Sequence, residues 1–200
     1  MMDAIGAIIK RKSVRAYEDR PVPGHVVEKI IEAGQWAPNA GQQIGLRGLQ
    51  LLPIEYAFQI SVSRNKGLRR KINDRVLETM NRVDNLFARQ RASLPGYQPL
   101  FGAPVVMLLS EPDQGMSGAV NVALVAENML IAATALGLES CYLGSPAHAL
   151  TGDSNTDLTR EAGVPEDYVV QCAIIFGYAA PENRFSLGER TKRGKVNYVD

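Results

Sequence analysis

The sequence contains few of the residues that build metal sites, disulfide frameworks or hydrolytic centres. Its 200 residues include only two cysteines and two histidines. Cys141 and Cys172 lie in apolar segments without CxxC spacing, so we expect two buried free thiols in a reducing compartment, and no metal site. His25 and His148 have no serine or cysteine beside them in a nucleophile context, which argues against a hydrolytic triad.

An excess of charge of either sign is also missing. The chain has 22 Lys and Arg against 21 Asp and Glu, a formal net charge of +1. We therefore expect neither nucleic acid nor a membrane as a partner, and any basic site must be local. No signal peptide and no hydrophobic run of membrane-spanning length is recognisable, so we expect a cytoplasmic protein. With 46% hydrophobic residues, residues 1–200 are expected to form a single domain.

Apolar residues recur with helical spacing in the first part of the chain. Ile5, Ile8 and Ile9 predict a first helix, and residues 26–34 predict a second after a Pro-Val-Pro-Gly turn. A longer charged stretch, roughly residues 64–92, predicts a solvated helix over a core. Its apolar stripe consists of Leu68, Ile72, Val76, Leu77, Met80, Val83, Leu86 and Phe87.

The strand candidates are few and well separated. They are residues 46–52, 104–109, 140–144 and 168–178, of which the second is expected in the middle of a sheet and the last is the strongest. Residues 120–138 are apolar almost all round and predict a core helix, and a short helix is expected between Thr156 and Gly163. Helices between scattered strands indicate an α+β fold without strict βαβ alternation.

A basic cluster, Arg-Lys-Ser-Val-Arg, occupies residues 11–15 directly after the first predicted helix. Cations at the carboxyl end of a helix are favoured by the helix dipole, and this alone could explain the cluster. Alternatively, guanidinium groups and a serine hydroxyl form an anion clamp of the kind that suits a nucleotide phosphate. In an extended segment Ser13 and Arg15 would project to the same side. The spacing does not decide between the two interpretations.

The order of several short motifs along the chain is more specific than any one of them. Besides the basic cluster, they are the sequences PVPGHVVEKIIEAG after it, APNAG at 37–41, FGAP at 101–104, ENML at 127–130 in the helix ending Gly137-Leu138, SCYLG at 140–144 and FGY at 176–178 before a basic tail. In this order the sequence resembles the nitroreductase family of FMN-dependent oxidoreductases. The resemblance implies that family's fold, a central mixed or antiparallel sheet flanked by helices.

The resemblance also implies cofactor-binding residues. Arg11 and Ser13 correspond to ligands of the FMN phosphate and ribityl chain, with a contribution from Lys12. Arg15 corresponds to a residue at the pyrimidine edge of the flavin, where a cation near N1 and the C2 carbonyl stabilises the reduced ring.

A second group of implied ligands lies in the loop that follows the second helix. Pro38, Asn39, Ala40 and Gln42 occupy it, but Asn39 stands where the family has Ser, Gln42 where it has Asn, and Ile44 where it has Gln. A glutamine can still donate and accept hydrogen bonds at the position of an asparagine.

The remaining implied ligands lie in the second half of the chain. Leu143, Gly144 and Ser145 match the segment whose backbone packs along the flavin near N5. Arg190, Lys192 and Arg193 loosely match tail residues that complete the phosphate site.

The activity implied by the resemblance needs no acid or base side chain. NADH or NADPH would deliver a hydride to N5 of non-covalently bound FMN, and a small-molecule acceptor such as a nitroaromatic, a quinone or an enone would then replace the nicotinamide. The family also implies a homodimer with a carboxyl-terminal extension on the partner. Two alternatives stay open, namely a flavin-storing or flavin-modifying relative without efficient turnover, and an interaction domain that uses residues 11–15 on an acidic partner.

Overall fold

The computed structural model describes residues 2–38, 58–112, 118–151, 156–181, 194–197 and 199. Within these residues the helices are α1 (Ala4–Lys10), α2 (Gly24–Gln35), α3 (Lys66–Arg82), α4 (Leu86–Ala92), α5 (Gly118–Ala135), α6 (Ser145–Ala149) and α7 (Thr156–Glu161). The strands are β1 (Gln59–Ser63), β2 (Val105–Pro112), β3 (Glu139–Leu143) and β4 (Tyr168–Gly177). The architecture is α+β, as the sequence predicts. The strand candidate at 46–52 lies outside the described residues.

The first two helices begin and end where local chemistry dictates. The Asp3 carboxylate accepts a 2.6 Å hydrogen bond from the backbone N–H of Gly6 and caps α1. Helix α2 follows Pro23, whose fixed φ suits the start of a helix, and it buries Val27, Ile30 and Gly34. These residues lie on the face that the apolar spacing predicts.

The long charged stretch forms two helices rather than the one continuous helix that its apolar stripe predicts. The Asn65 side chain caps α3 by accepting a hydrogen bond from the N–H of Leu68. The Asn85 side chain caps α4 by accepting a 3.0 Å bond from the N–H of Ala88. The backbone at Val83 is extended and ends α3, and the Asn85 cap begins a separate helix. Leu86 and Phe87 were expected on the buried face but are 62% and 76% exposed.

The four described strands form one antiparallel sheet in the order β1-β2-β4-β3. β2 pairs with β1 on one side and with β4 on the other, which confirms its predicted place in the middle of the sheet. β3 pairs with β4 from Glu139 opposite Gly177 to Leu143 opposite Ala173. β1 was not predicted, because its sequence QISVS contains only two apolar residues.

Alternate residues of the strands are buried in two hydrophobic cores, one on each face of the sheet. Val106 and Leu108 of β2 join a cluster with the buried side of α3. Met107 and Leu109 join a second cluster with α2 and the apolar helix α5. Among the described helices, none has both the length and the apolar composition needed to cross a membrane.

The segment that follows α1 runs along the sheet. It contacts the motifs at 101–104, 140–144 and 176–178. Ser13 forms a parallel bridge with Ser140, and Tyr17 forms an antiparallel bridge with Ala179. A Cβ atom at Gly177 would lie 2.6 Å from Pro104 Cδ and 2.9 Å from a ring carbon of Tyr17. Only glycine therefore allows this close approach, which sets the position of residues 11–17 on the sheet.

Candidate functional site

Arg11 is the carboxyl-terminal cap of α1, and its side chain is held rather than solvated. Its backbone N–H donates a 2.9 Å bond to the carbonyl of Ala7. The side chain is only 14% exposed, and its Nε lies 3.5 Å from Oε1 of Glu127 on α5. A cation placed only to complement the helix dipole would need no such partner. The contact is an ion pair with a neighbouring helix, without a hydrogen bond from Nε to any residue that the structure describes.

Sequence reasoning assigned no role to Glu127, although a signal was present. It is the only ionisable residue in the 18 residues of α5. Its side chain is 49% exposed, so the pair with Arg11 is a partly solvated contact and not the compensation of a buried charge.

Ser13 and Arg15 lie on either side of a firmly anchored residue. Val14 is fully buried, and its N–H donates a 3.0 Å bond to the carbonyl of Ser140. The Ser13 hydroxyl forms a side-chain hydrogen bond with the Cys141 thiol, and the charge of Arg15 acts on the same thiol. Both side chains therefore lie near Cys141, as expected for alternate residues of an extended segment.

The thiol of Cys141 stays neutral among these cations. Burial raises its pKa, and this effect exceeds the opposing effects of Arg15, Ser13, Arg91 and Arg11, which lower it. The Sγ donates a long, 3.5 Å hydrogen bond to the carbonyl of Tyr142. Because the thiol carries no negative charge, it does not offset the positive charge of the guanidinium groups around it.

Arg91 of α4 brings a further cation to the same region, which the sequence did not predict. Its guanidinium lies 5.5 Å from the ring centroid of Tyr97, a cation–π distance. Burial raises the pKa of Tyr97, against the positive charges of Arg91 and Arg15. Arg15 and Arg91 are 76 positions apart in the chain, and both lie within electrostatic range of Tyr97 and Cys141.

The end of β3 offers an open stretch of backbone. Leu143 is buried, Gly144 is exposed, and Ser145 begins α6. A Cβ atom at Gly144 would meet no atom within 4 Å among the described residues. A flat ring can therefore approach this backbone closely, and a larger side chain at Gly144 would occupy that space.

Of the other predicted ligands, the structure describes two, and both are exposed. Lys12 is exposed beside Arg11, and Pro38 is exposed beyond the end of α2. Asn39, Ala40, Gln42, Arg190, Lys192 and Arg193 lie outside the described residues. Where the chain is described, no group of three or more His, Cys, Asp or Glu residues could hold a metal ion.

The donor set has the chemistry that FMN requires. Guanidinium groups and a hydroxyl suit a phosphate and a ribityl chain, because they donate several charge-assisted bonds to anionic and hydroxyl oxygens. The exposed backbone at Gly144 suits the flat face of an isoalloxazine ring. Arg11, Ser13 and Arg15 would hold the cofactor, and the Leu143–Ser145 segment would lie along the ring.

Comparison with known proteins agrees with this fold and donor set. The model of the Nitroreductase family matches residues 8–178. A protein of Archaeoglobus fulgidus named as an NADH dehydrogenase or NAD(P)H nitroreductase is 25% identical over 186 residues, which cover 92% of this chain and 90% of that protein. The chain belongs to the nitroreductase family.

Solved structures show the same architecture over the whole chain. The FMN-bound nitroreductase of Bacteroides fragilis superposes with a TM-score of 0.83 at 25% identity, with 100% of both chains covered. The FMN-bound nitroreductase of Desulfitobacterium hafniense gives a TM-score of 0.81 at 21% identity, again with 100% of both chains covered. The nitroreductase-like fold is thus confirmed.

Proposed function

We propose that the protein is an FMN-dependent NAD(P)H oxidoreductase that works by a ping-pong transfer of two electrons. One observation carries this proposal. Arg11, Ser13 and Arg15 lie near the beginning of β3, and Gly144 lies exposed just after its end. The FMN bound in two similar structures and the NAD(P)H activity in the name of the archaeal relative support it. Nitroaromatics, quinones and enones are the acceptors we propose.

The bound FMN would supply the hydride chemistry at its N5 atom. Arg11, which forms an ion pair with Glu127, binds the phosphate with charge-assisted bonds. Arg15 places a positive charge at the pyrimidine edge, and the neutral Cys141 thiol adds no negative charge there. Gly144 admits the ring and, after it, a flat reductant or acceptor. No side chain has to move a proton.

We further propose a homodimer, in which each flavin contacts both chains and the carboxyl-terminal residues reach the partner. Exposed apolar side chains on two packed helices support it. Ile5 and Ile9 of α1 are 66% and 73% exposed, and Val120 of α5 is 61% exposed. Large exposed apolar side chains on neighbouring helices are often covered in an interface between copies of a chain.

The buried free thiols suit a reducing compartment, and we propose a cytoplasmic location. We also propose that residues 1–200 act as one domain.

Purification and reduction test the proposed activity directly. The protein should be yellow, should lose its flavin absorbance when NADPH or NADH is added without oxygen, and should regain it when a quinone or nitroaromatic is added. Yellow protein that neither nucleotide bleaches would indicate flavin storage. Colourless protein that free FMN does not recolour would contradict the flavin site and favour an interaction domain.

A further inference from the structure

A cleft with a volume of about 660 Å³ opens between α3 and residues 96–103. Ligand sites for small organic molecules commonly have volumes of about 300–1,000 Å³. Tyr17 and Tyr97 line the cleft. Tyr17 follows Arg15 by two positions, and Tyr97 lies within electrostatic range of Arg15. Tyr17 and Tyr97 belong to the same core cluster as Cys141, so the cleft is on the face of the sheet where the flavin is proposed to bind.

Aromatic and apolar residues line part of the cleft, and the beginning of α3 supplies three cations. Tyr17, Tyr97 and Leu100 are buried residues among the lining, and the cations are Lys66, Arg69 and Arg70. An apolar surface with cations beside it suits a molecule that has both a flat ring and anionic groups.

The three cations are not equally available to a ligand. Lys66 forms a 3.2 Å ion pair with Asp19. One terminal nitrogen of Arg69 donates to the carbonyls of Arg64 and Pro104, at 2.7 and 2.6 Å, so this guanidinium is fixed at the cleft. Arg70 is exposed and forms no ion pair with any residue that the structure describes. Arg70 is thus the cation most available to an incoming anion.

The two acidic residues of the cleft do not neutralise the positive charge of Arg70. Asp19 is engaged by Lys66, and Asp74 lies one helical turn after Arg70. A carboxylate next to a cation can accept bonds from hydroxyl groups while the cation binds a phosphate. In dinucleotide-binding proteins a carboxylate binds the ribose 2′-hydroxyl, and an arginine accommodates a 2′-phosphate.

We propose that this cleft binds the phosphate-bearing half of the pyridine-nucleotide reductant, with Arg70 as a principal phosphate contact. The inference rests on the proposed oxidoreductase function and adds to it a binding site outside the flavin site. The ligand is bound as an ADP-ribose group, and the nicotinamide end extends toward the flavin.

Two reductants distinguish this site from the flavin site. Arg70→Gln should raise the KM for NADPH and NADH at least about five-fold, as expected for a lost charge-assisted contact. It should leave the rate with N-benzyl-dihydronicotinamide unchanged, because that reductant has no phosphate. Arg82→Gln is the matched control, since it removes one charge from the exposed far end of the same helix, and its KM values should equal those of the wild type.

A binding measurement makes the test independent of turnover. Calorimetric titration of the FMN-loaded protein with ADP-ribose should show binding that Arg70→Gln weakens about five-fold or more and Arg82→Gln does not. Equal ADP-ribose affinity in the wild type and both variants would overturn the proposal. So would an equal rise in KM for both kinds of reductant, which would place the effect at the flavin.

The acceptor is the other possible source of an anion. If Arg70→Gln raised the KM for nitrobenzoate but not for neutral nitrobenzamide or for NADPH, the cleft would belong to the acceptor and the reductant assignment would be wrong. If ADP-ribose bound in an Arg70-dependent way but neither reductant bleached the wild type, the proposed function would fail while the cleft remained a nucleotide site.

Discussion

The Nε of Arg11 lies 3.5 Å from Oε1 of Glu127, and this contact joins the end of α1 to the middle of α5. It distinguishes Arg11 from its neighbour Lys12, which is exposed. The planar guanidinium group is the donor that suits a bidentate contact with a phosphate, and Arg11 is largely buried where an exposed lysine is not. The anion clamp and the simple helix-end cation therefore predict different effects of replacing Arg11.

Replacement of Arg11 tests the phosphate assignment. Arg11→Ala should weaken FMN binding by about 1.5 to 3 kcal/mol, or roughly ten- to a hundred-fold, because one charge-assisted contact is lost. Riboflavin, which lacks the phosphate, should bind equally to the variant and the wild type. Lys10→Ala, which removes a charge from the same helix end, serves as the control. Unchanged FMN affinity in Arg11→Ala would show that the phosphate lies elsewhere.

Arg15 should act on the potential of the flavin more than on its retention. Arg15→Gln removes a positive charge that favours the reduced ring, so the midpoint potential should fall by roughly 30 to 60 mV while FMN stays bound, each 1.4 kcal/mol being worth about 30 mV. Potentiometric titration beside the wild type measures this. Arg20→Gln is the control. It removes an equal charge from a residue that stacks on Tyr178 at 3.8 Å and is not proposed to contact the flavin. A potential equal to that of the wild type would place Arg15 away from the ring.

The exposed apolar surface on α1 and α5 should be the dimer interface. Ile9→Arg places a charge in that surface and should shift sedimentation from dimer to monomer, with loss of flavin, because each flavin needs both chains. Val62→Arg changes a partly exposed apolar residue on β1 and should leave the dimer intact. A flavin-loaded monomer, in either the wild type or Ile9→Arg, would contradict the proposed assembly.

The two thiols should be unreactive in the folded protein and should reduce its stability at high pH. Burial raises the pKa of Cys172 from 9.0 to about 12. The unfolded chain releases this proton from about pH 9, whereas the folded chain keeps it until about pH 12. Stability should therefore fall as the pH rises through this window. Between pH 8 and pH 10, about one unit either side of the ordinary thiol pKa, the free energy of unfolding should decrease less in Cys172→Ala than in the wild type. Urea titrations at these pH values measure it.

Thiol titration gives a second measurement of the same property. A chromogenic disulfide reagent near neutral pH should react with neither cysteine in the native protein and with both after denaturation. Rapid labelling of the native protein would show that these thiols are accessible, contrary to their burial.

Much of the fold could be read from the order of the residues. The apolar runs of β2 and β4 predict buried strands because few other structures accommodate consecutive β-branched and apolar residues, and α5 is recognisable from its alanines. The motif at residues 11–15 was identified together with its two possible roles. The element boundaries differ from expectation by a few residues at most in these segments.

Other features depend on contacts between distant parts of the chain, so local patterns could not predict them. The break at residues 83–85 was missed because the apolar stripe continues across it, whereas the extended backbone at Val83 and the Asn85 cap end one helix and begin the next. The strand order β1-β2-β4-β3 follows from pairing across long separations.

The sequence alone determined the family, the basic cluster and the apolar segments, because each is a property of neighbouring residues. Only the tertiary structure decided which cations share a site. The charges of Arg15 and Arg91 both act on Tyr97, and Arg11 reaches Glu127, although these residues are far apart in the chain. Since electrostatic interactions act through space over a few ångströms, folding sets their strength, whatever the separation of the residues along the chain.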